Sequence, residues 1–337
     1  MRKSFRVVMI ALLVLMLAAC KASADELVAE ETEPSAAETL SGGSLADLQS
    51  YRFMLEMTTT QDVGGQLIEE KETIIQEAVR APEEFLHIQR VAQNDETGII
   101  PVRSDRYRQG LLAYEPEQLP DGDVCHIYDL EQSPLSEDGA IDPETFFDGL
   151  DREGPQDRGK VVNNVVADRF SISGMNLPLD VVEEEEVQLW VAQDGGYIVR
   201  FTVEAKGQMQ VEDGAVPASL RWEYNLKDVN TEFEIALSPE CQRQKEFLDS
   251  LPMPETAENV EIMDNGVAFS SPDSSDEMAD FIRKGMQGSK WVSLMDHDDE
   301  ETGMYLFMYQ QEEYYLDVMI GRPEEGGSFV TYLQREE

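Results

Sequence analysis

A chain of 337 residues with 69 acidic and 26 basic side chains carries a formal net charge of −43. Such a surface repels phosphate backbones and anionic lipid heads, which excludes nucleic acid as a partner. At 41% hydrophobic residues the chain has enough apolar material for real cores, and its length suits two domains of ordinary size. The acid is dispersed along the chain and reads first as solubility.

The amino terminus is the exception to that acidity. Met1-Arg2-Lys3-Ser4-Phe5-Arg6 is basic, an apolar block follows from Val7 to Leu17, and Leu17-Ala18-Ala19 leads into Cys20. This is the layout of a secretory signal peptide, and the block is too short to span a bilayer comfortably. A cysteine directly after Leu-Ala-Ala resembles the lipobox of bacterial lipoproteins. In that family the chain is cut before the cysteine, whose thiol is then joined to diacylglycerol. The resemblance implies a lipoprotein signal over residues 1–20, lipidation at Cys20, a membrane partner reached through the lipid, and a place in the cell envelope outside the cytoplasm. The alternatives are an ordinary signal peptide or an uncut anchor helix.

Residues 21–43 are small and acidic with Pro, Ser and Gly, and cannot bury enough surface to order themselves, so they read as a tether. Two cysteines remain, Cys125 and Cys241. In an exported chain they are candidates for a disulfide; two buried free thiols are the alternative.

From Ser44, a good N-cap for one short turn, the pattern turns to strands. Tyr51, Phe53, Leu55 and Met57 share one face, the period of a half-buried strand. Similar runs follow at Leu67–Val79, Glu84–Val91 and, more weakly, Val102–Tyr114. Between Pro116 and Gly159 the pattern lapses except for Ile141–Leu150. There Asp142 as N-cap and Pro143 at the first helical position predict a short helix that presents Phe146, Phe147 and Leu150. Val161–Ser173 reads as one strand interrupted at Asn163-Asn164. Val187–Val191 and Tyr197–Glu204 flank a hairpin turn at Gln193-Asp194-Gly195-Gly196. Leu220, Trp222, Tyr224 and Leu226 alternate, as do Phe233, Ile235 and Leu237. Six to nine antiparallel strands in one curved sheet are expected over residues 44–245.

Pro239, Pro252 and Pro254 mark a boundary. Residues 255–337 predict a small α+β unit: strands near Val260–Ile262 and Val267–Ser270, then a helix with Ser274 and Glu277 at capping-box spacing. Met278, Phe281, Ile282 and Met286 form its apolar face and Gly288 its end. Strands at Lys290–Met295, Met304–Tyr309, Tyr314–Ile320 and Phe329–Leu333 close the chain.

The lipobox, the tether, Leu48-Gln49-Ser50-Tyr51-Arg52-Phe53, the Asp142-Pro143 helix, Val162-Asn163-Asn164-Val165 and the hairpin from Leu189-Trp190-Val191 to Tyr197-Ile198-Val199 together resemble the LolA/LolB and LppX/LprG-like superfamily of envelope lipoproteins. The match covers about residues 44–240. It implies a mainly β fold, an antiparallel half-barrel sheet with short helices, here followed by the small α+β domain. It also implies an apolar cavity for acyl chains. Phe53, Leu55, Val199, Phe201, Trp222 and Tyr224 would line that cavity under Phe146 and Phe147 as lid. The alternative reading of the same residues is an ordinary closed core. Many carriers of this kind present basic or neutral rims. The acidity here points away from delivery to an anionic membrane and leaves sensing or passive binding open.

Chemistry is sparse. No nucleophile elbow, phosphate-binding loop, dinucleotide glycine fingerprint or HExxH occurs. His87, in a strand beside Phe85 and Gln89, reads as structural. Cys125-His126 lacks a visible base and orienter for a thiol nucleophile. The acidic run Asp296–Glu301 lacks the glycine spacing of an EF-hand and reads as a solvated hairpin tip; Glu183–Glu186 reads likewise. The expectation is therefore no enzyme, no catalytic residue, no metal and no cofactor. It is a membrane-anchored envelope lipoprotein that binds a lipid or other apolar ligand in a half-barrel cavity, with carriage as one use of such binding. The alternative is an interaction or assembly lipoprotein with a solid core, its protein partners unspecified.

Overall fold

The computed structural model describes residues 43–94, 101–119, 122–130, 139–150, 154–211, 214–263, 265–299, 302–312, 314–323 and 326–336. The signal segment with Cys20, the tether up to residue 42, and Glu300 and Glu301 of the acidic run lie outside the described residues.

Among the described residues the chain is mainly β, in two open antiparallel sheets. The first contains β1 (Ser50–Val63), β2 (Gln66–Val79), β3 (Phe85–Asn94), β4 (Val102–Gln109), β5 (Leu112–Leu119) and β6 (Gly122–Asp129). It continues with β7 (Asp157–Val162), β8 (Val165–Ile172), β9 (Val181–Ala192), β10 (Ile198–Val211) and β11 (Gly214–Lys227). The order is β6-β5-β4-β3-β2-β1-β11-β10-β9-β8-β7. Two meanders are thus joined side by side where β1 pairs with β11, Phe53 opposite Leu226 and Leu55 opposite Tyr224. The outer strands β6 and β7 are not neighbours in the sheet, so it does not close.

Period-2 alternation explains the core. Tyr51, Phe53 and Leu55 are buried while the residues between them are half-exposed, and Leu220, Trp222, Tyr224 and Leu226 repeat this on β11. One continuous cluster runs from Leu86 and Ile88 on β3 to Ala167 and Phe170 on β8, so the sheet curls around it. Each large apolar side chain fully buried there contributes about 1.5–3 kcal/mol. Ser44 caps a 3-10 turn, Leu45–Asp47, that puts Leu45 into the same cluster.

Three expectations for the first sheet need correction. The interruption at Asn163-Asn164 is a two-residue hairpin turn with φ of 50° and 67°, so the expected single strand is the pair β7 and β8. Asparagine tolerates this left-handed region better than other non-glycine residues. Second, β5 continues through Pro116, and β6 lies in the stretch that seemed patternless. The proline is tolerated because β4 pairs β5 only from Leu112 to Tyr114, leaving one side of β5 open beyond that point.

Third, Phe233, Ile235 and Leu237 form no strand. They run across the outer face of the sheet. Phe233 lies under the Arg52 guanidinium at 3.9 Å, and Ile235 and Leu237 lie against the cluster of Tyr107, Tyr114 and Ile127. Their alternation records one face lying on a wall, without a ladder. They lead into a helix that the sequence reading lacked, α1 (Pro239–Asp249), with Pro239 at its start. Cys241 on α1 is joined to Cys125 on β6, Sγ–Sγ 2.00 Å.

The second sheet comprises β12 (Glu258–Met263), β13 (Gly266–Ser271), β14 (Val292–Asp299), β15 (Met304–Gln311), β16 (Tyr314–Gly321) and β17 (Ser328–Glu336). Its order is β12-β13-β17-β16-β15-β14. One helix, α2 (Ser275–Gln287), covers one face. Its reciprocal capping box, Ser274 with Glu277, is present, and Met278, Ala279, Ile282 and Met286 are buried. Phe281 is 39% exposed and not on that face. At 100° per residue it sits about 110° round the helix from the middle of the buried stripe. Phe247 and Leu251, from α1 and its end, pack into this second core, while Leu248 and Ile262 touch both it and the Tyr107 cluster.

Because the disulfide closes a sequence separation of 116 residues, replacing both Cys125 and Cys241 by serine should lower stability by about 2–5 kcal/mol. Urea unfolding with and without reductant measures this; identical midpoints would contradict it.

Candidate functional site

The concave face of the first sheet carries a short 3-10 helix, Pro143–Phe147. Asp142 caps it, its carboxylate accepting from Glu144 N at 3.0 Å. The segment is clasped at its amino-terminal end by Gln76, a fully buried amide on the core face of β2. Ile141 N donates to Gln76 Oε1 at 2.8 Å, and Gln76 Nε2 donates to Ile141 O at 3.3 Å and to the Tyr51 hydroxyl at 2.9 Å. Sequence reading missed Gln76. Its signal is a polar residue at a core position between Ile74 and Ala78. Among the described residues, the hydrogen bonds from Asp142 to Leu150 run within the segment itself.

Beyond the clasp the segment is held by rings. Phe147 meets Phe201 edge-on at 5.2 Å between ring centres, and Phe146 lies 5.8 Å from both Phe201 and Trp222. Phe201 stacks on Tyr224 at 5.1 Å, and Tyr224 lies 5.0 Å from Phe53. The expected lining residues Phe53, Leu55, Val199, Phe201, Trp222 and Tyr224 therefore share one cluster with Phe146 and Phe147. In the seated position the lid rings occupy the concave face.

Two buried polar atoms here, the Tyr224 hydroxyl and Glu144 Oε1, have no partner among the described residues. Burial pushes the Tyr224 pKa well above the ordinary phenol value, assisted by Tyr51, Asp142 and Glu144. Desolvation, with Asp142, Asp148 and Asp47 nearby, raises the Glu144 carboxyl to about 7.

His87 lies on the opposite, outer face and is more than packing. Its Nδ1 is 3.1 Å from Glu77 and its Nε2 3.0 Å from Asp105, and its ring stacks on Tyr107 at 4.4 Å. Arg103 donates to Asp105 at 2.7 Å and Arg52 pairs with Glu77 at 2.5 Å. Burial works against protonation of His87, but the hydrogen bonds to Asp105 and Glu77 outweigh it and raise its pKa. The Glu77 carboxyl is held low, first by its hydrogen bond to His87. Asp105 is also lowered, its bonds to His87, Arg103 and Gln89 overcoming burial.

The remaining candidates are occupied by ordinary pairing. Cys125 is spent in the disulfide, and His126 meets Glu117 at 2.9 Å. Asp296 takes a two-pronged contact from Arg283 at 2.8 and 2.9 Å. Glu183–Glu186 lies inside β9, where Glu184 meets Lys206 and Glu185 accepts from Gly174 N and Met175 N. An open groove of about 230 Å³ on the outer face of β9–β11 is lined by Glu186, Arg200, Glu204, Arg221 and Glu223 among others, a mixture of both charges. Among the described residues no helix is long and apolar enough to cross a membrane.

No known protein family matches the chain, and no curated protein does. Among solved structures, the candidate AttH protein of Nitrosomonas europaea is 8% identical with a TM-score of 0.21, over 90% of this chain and 97% of that one. A DUF1329 family protein from Desulfovibrio piger is 12% identical with a TM-score of 0.18, over 57% of this chain and 88% of that one.

The His87 cluster sets a pH dependence. A raised histidine pKa contributes stability that is complete below its ordinary value of 6.5 and lost as pH rises through the folded value. The lowered Glu77 and Asp105 contribute stability that is complete above their ordinary 4.5 and 3.8 and lost as pH falls. The cluster is therefore strongest between about 4.5 and 6.5. His87→Gln should cost about 1–2 kcal/mol at pH 5.5 and progressively less at pH 7 and 8.5, measured by urea unfolding. A loss independent of pH would contradict the assignment.

Proposed function

We propose that this is a lipid-anchored, non-enzymatic envelope protein that holds an acyl chain or similar apolar molecule on the concave face of its first sheet. The ligand reaches that face when the lid lifts at its Phe146–Phe147 end. The observation that carries this reading is the asymmetry of the lid. One end is clasped through Ile141 by a buried amide, while the other is held by ring contacts and, among the described residues, its hydrogen bonds are internal. Ring contacts are worth about 0.5–1.5 kcal/mol each beyond area burial, and a ligand of comparable apolar surface can replace them. The anchor at Cys20 would keep the site within a few nanometres of a lipid source.

The same ring contacts favour a second reading, an assembly lipoprotein whose core is solid. Uptake of the neutral apolar probe N-phenyl-1-naphthylamine separates the two. Binding is expected, and Phe146→Ala should speed uptake severalfold while leaving the folded spectrum intact. No uptake by either protein, together with identical native and delipidated masses of material from its own host, would favour the solid core. Cys20→Ser should move the chain from the membrane fraction to the soluble fraction and abolish incorporation of labelled palmitate. Unchanged fractionation would remove the anchor from the reading.

A further inference from the structure

Two phenols on the concave face differ in one respect. Tyr51 receives a hydrogen bond from Gln76 Nε2 at 2.9 Å. Tyr224 is fully buried, stacked on Phe201 and flanked by Phe53, and its hydroxyl has no partner among the described residues. Leaving such a group unmatched is expensive, and native proteins keep few of them. On the lid, Glu144 Oε1 is likewise buried and without a partner among the described residues, and its carboxylate is one of the charges felt by Tyr224. Glu144 follows the clasped Ile141 by three residues, in the first turn of the short helix.

We propose that Tyr224 and Glu144 are the polar end of the site. They select an apolar ligand whose own polar end donates hydrogen bonds, a hydroxyl or an ammonium, over one that ends in a carboxylate. This rests on the reading of the preceding subsection and adds the head-group chemistry to it. A ligand hydroxyl accepts from the Tyr224 O–H and donates to the Glu144 carboxylate, satisfying both atoms at once. An ammonium donates to both oxygens. A carboxylate brings another negative charge beside Glu144, where the neighbouring charges Asp142, Asp148 and Asp47 are already acidic. The cations near Tyr51, Arg80 and Arg108, are both paired with Glu84.

The test is displacement of N-phenyl-1-naphthylamine from the Cys20→Ser mature chain at pH 8 by tetradecanol, tetradecylamine and tetradecanoate. The alcohol and the amine are expected to displace the probe at about tenfold lower concentration than the acid. Tyr224→Phe keeps the ring contacts and should weaken tetradecanol about three- to tenfold. Glu144→Gln should narrow the gap between amine and acid. Equal displacement by all three ligands, or preference for the acid, overturns the head-group proposal and leaves the apolar-binding reading standing. Unchanged tetradecanol affinity in Tyr224→Phe overturns it too, the hydroxyl then being satisfied by water alone. Failure of the probe itself to bind overturns both.

Discussion

The pairing of β1 with β11 is the contact on which the rest depends. It joins strands from opposite ends of the first unit, and closing so long a loop carries an entropic cost that local hairpins avoid. What offsets it is the apolar row along the seam, Phe53 and Leu55 on one strand and Tyr224 and Leu226 on the other, all essentially inaccessible. Phe201, one strand further, stacks on Tyr224 and receives Phe147 from the lid. The seam therefore fixes the floor against which the lid packs.

The outer face has its own logic. Tyr107, Tyr114 and Ile127 present apolar surface on the side away from the main core. The segment from Phe233 to Leu237 and then α1 cover it. From there Phe247 continues into the second core, where it meets Trp291 at 6.2 Å. The chain leaves the first sheet only after lying across its back, and α1 belongs to the packing of both sheets.

Much of this was legible in the residues. Strict alternation in Tyr51–Leu55 and Leu220–Leu226 announces strands with one buried face, and the glycine and asparagine turns place the hairpins. The capping box at Ser274 marks α2. What escaped did so for physical reasons. Pro116 between two glutamates in β5, and an edge strand β6 with few apolar residues, disguise the pair, because open and edge strands need neither apolar regularity nor every ladder bond. Asn163-Asn164 looks like an interruption until both residues adopt left-handed backbone. Phe233, Ile235 and Leu237 alternate because one side of an extended chain lies on a wall. At the site, the ring positions could be read from periodicity. The amide of Gln76 and the unmatched atoms of Tyr224 and Glu144 could not, because hydrogen-bond satisfaction is a property of the assembled neighbourhood.

The disulfide has a consequence beyond stability. An open sheet has two unpaired borders, each able to template an intermolecular strand. At the β6 border Cys125 pins α1 against the strand, and β12 also lies against β6. At the other border β7 is short and carries Arg158 and Lys160, which discourage a docking strand. Oxidation of one cysteine pair thus decides whether the larger sheet presents no sticky edge or one, and so governs how readily copies of the chain pair with each other at that border.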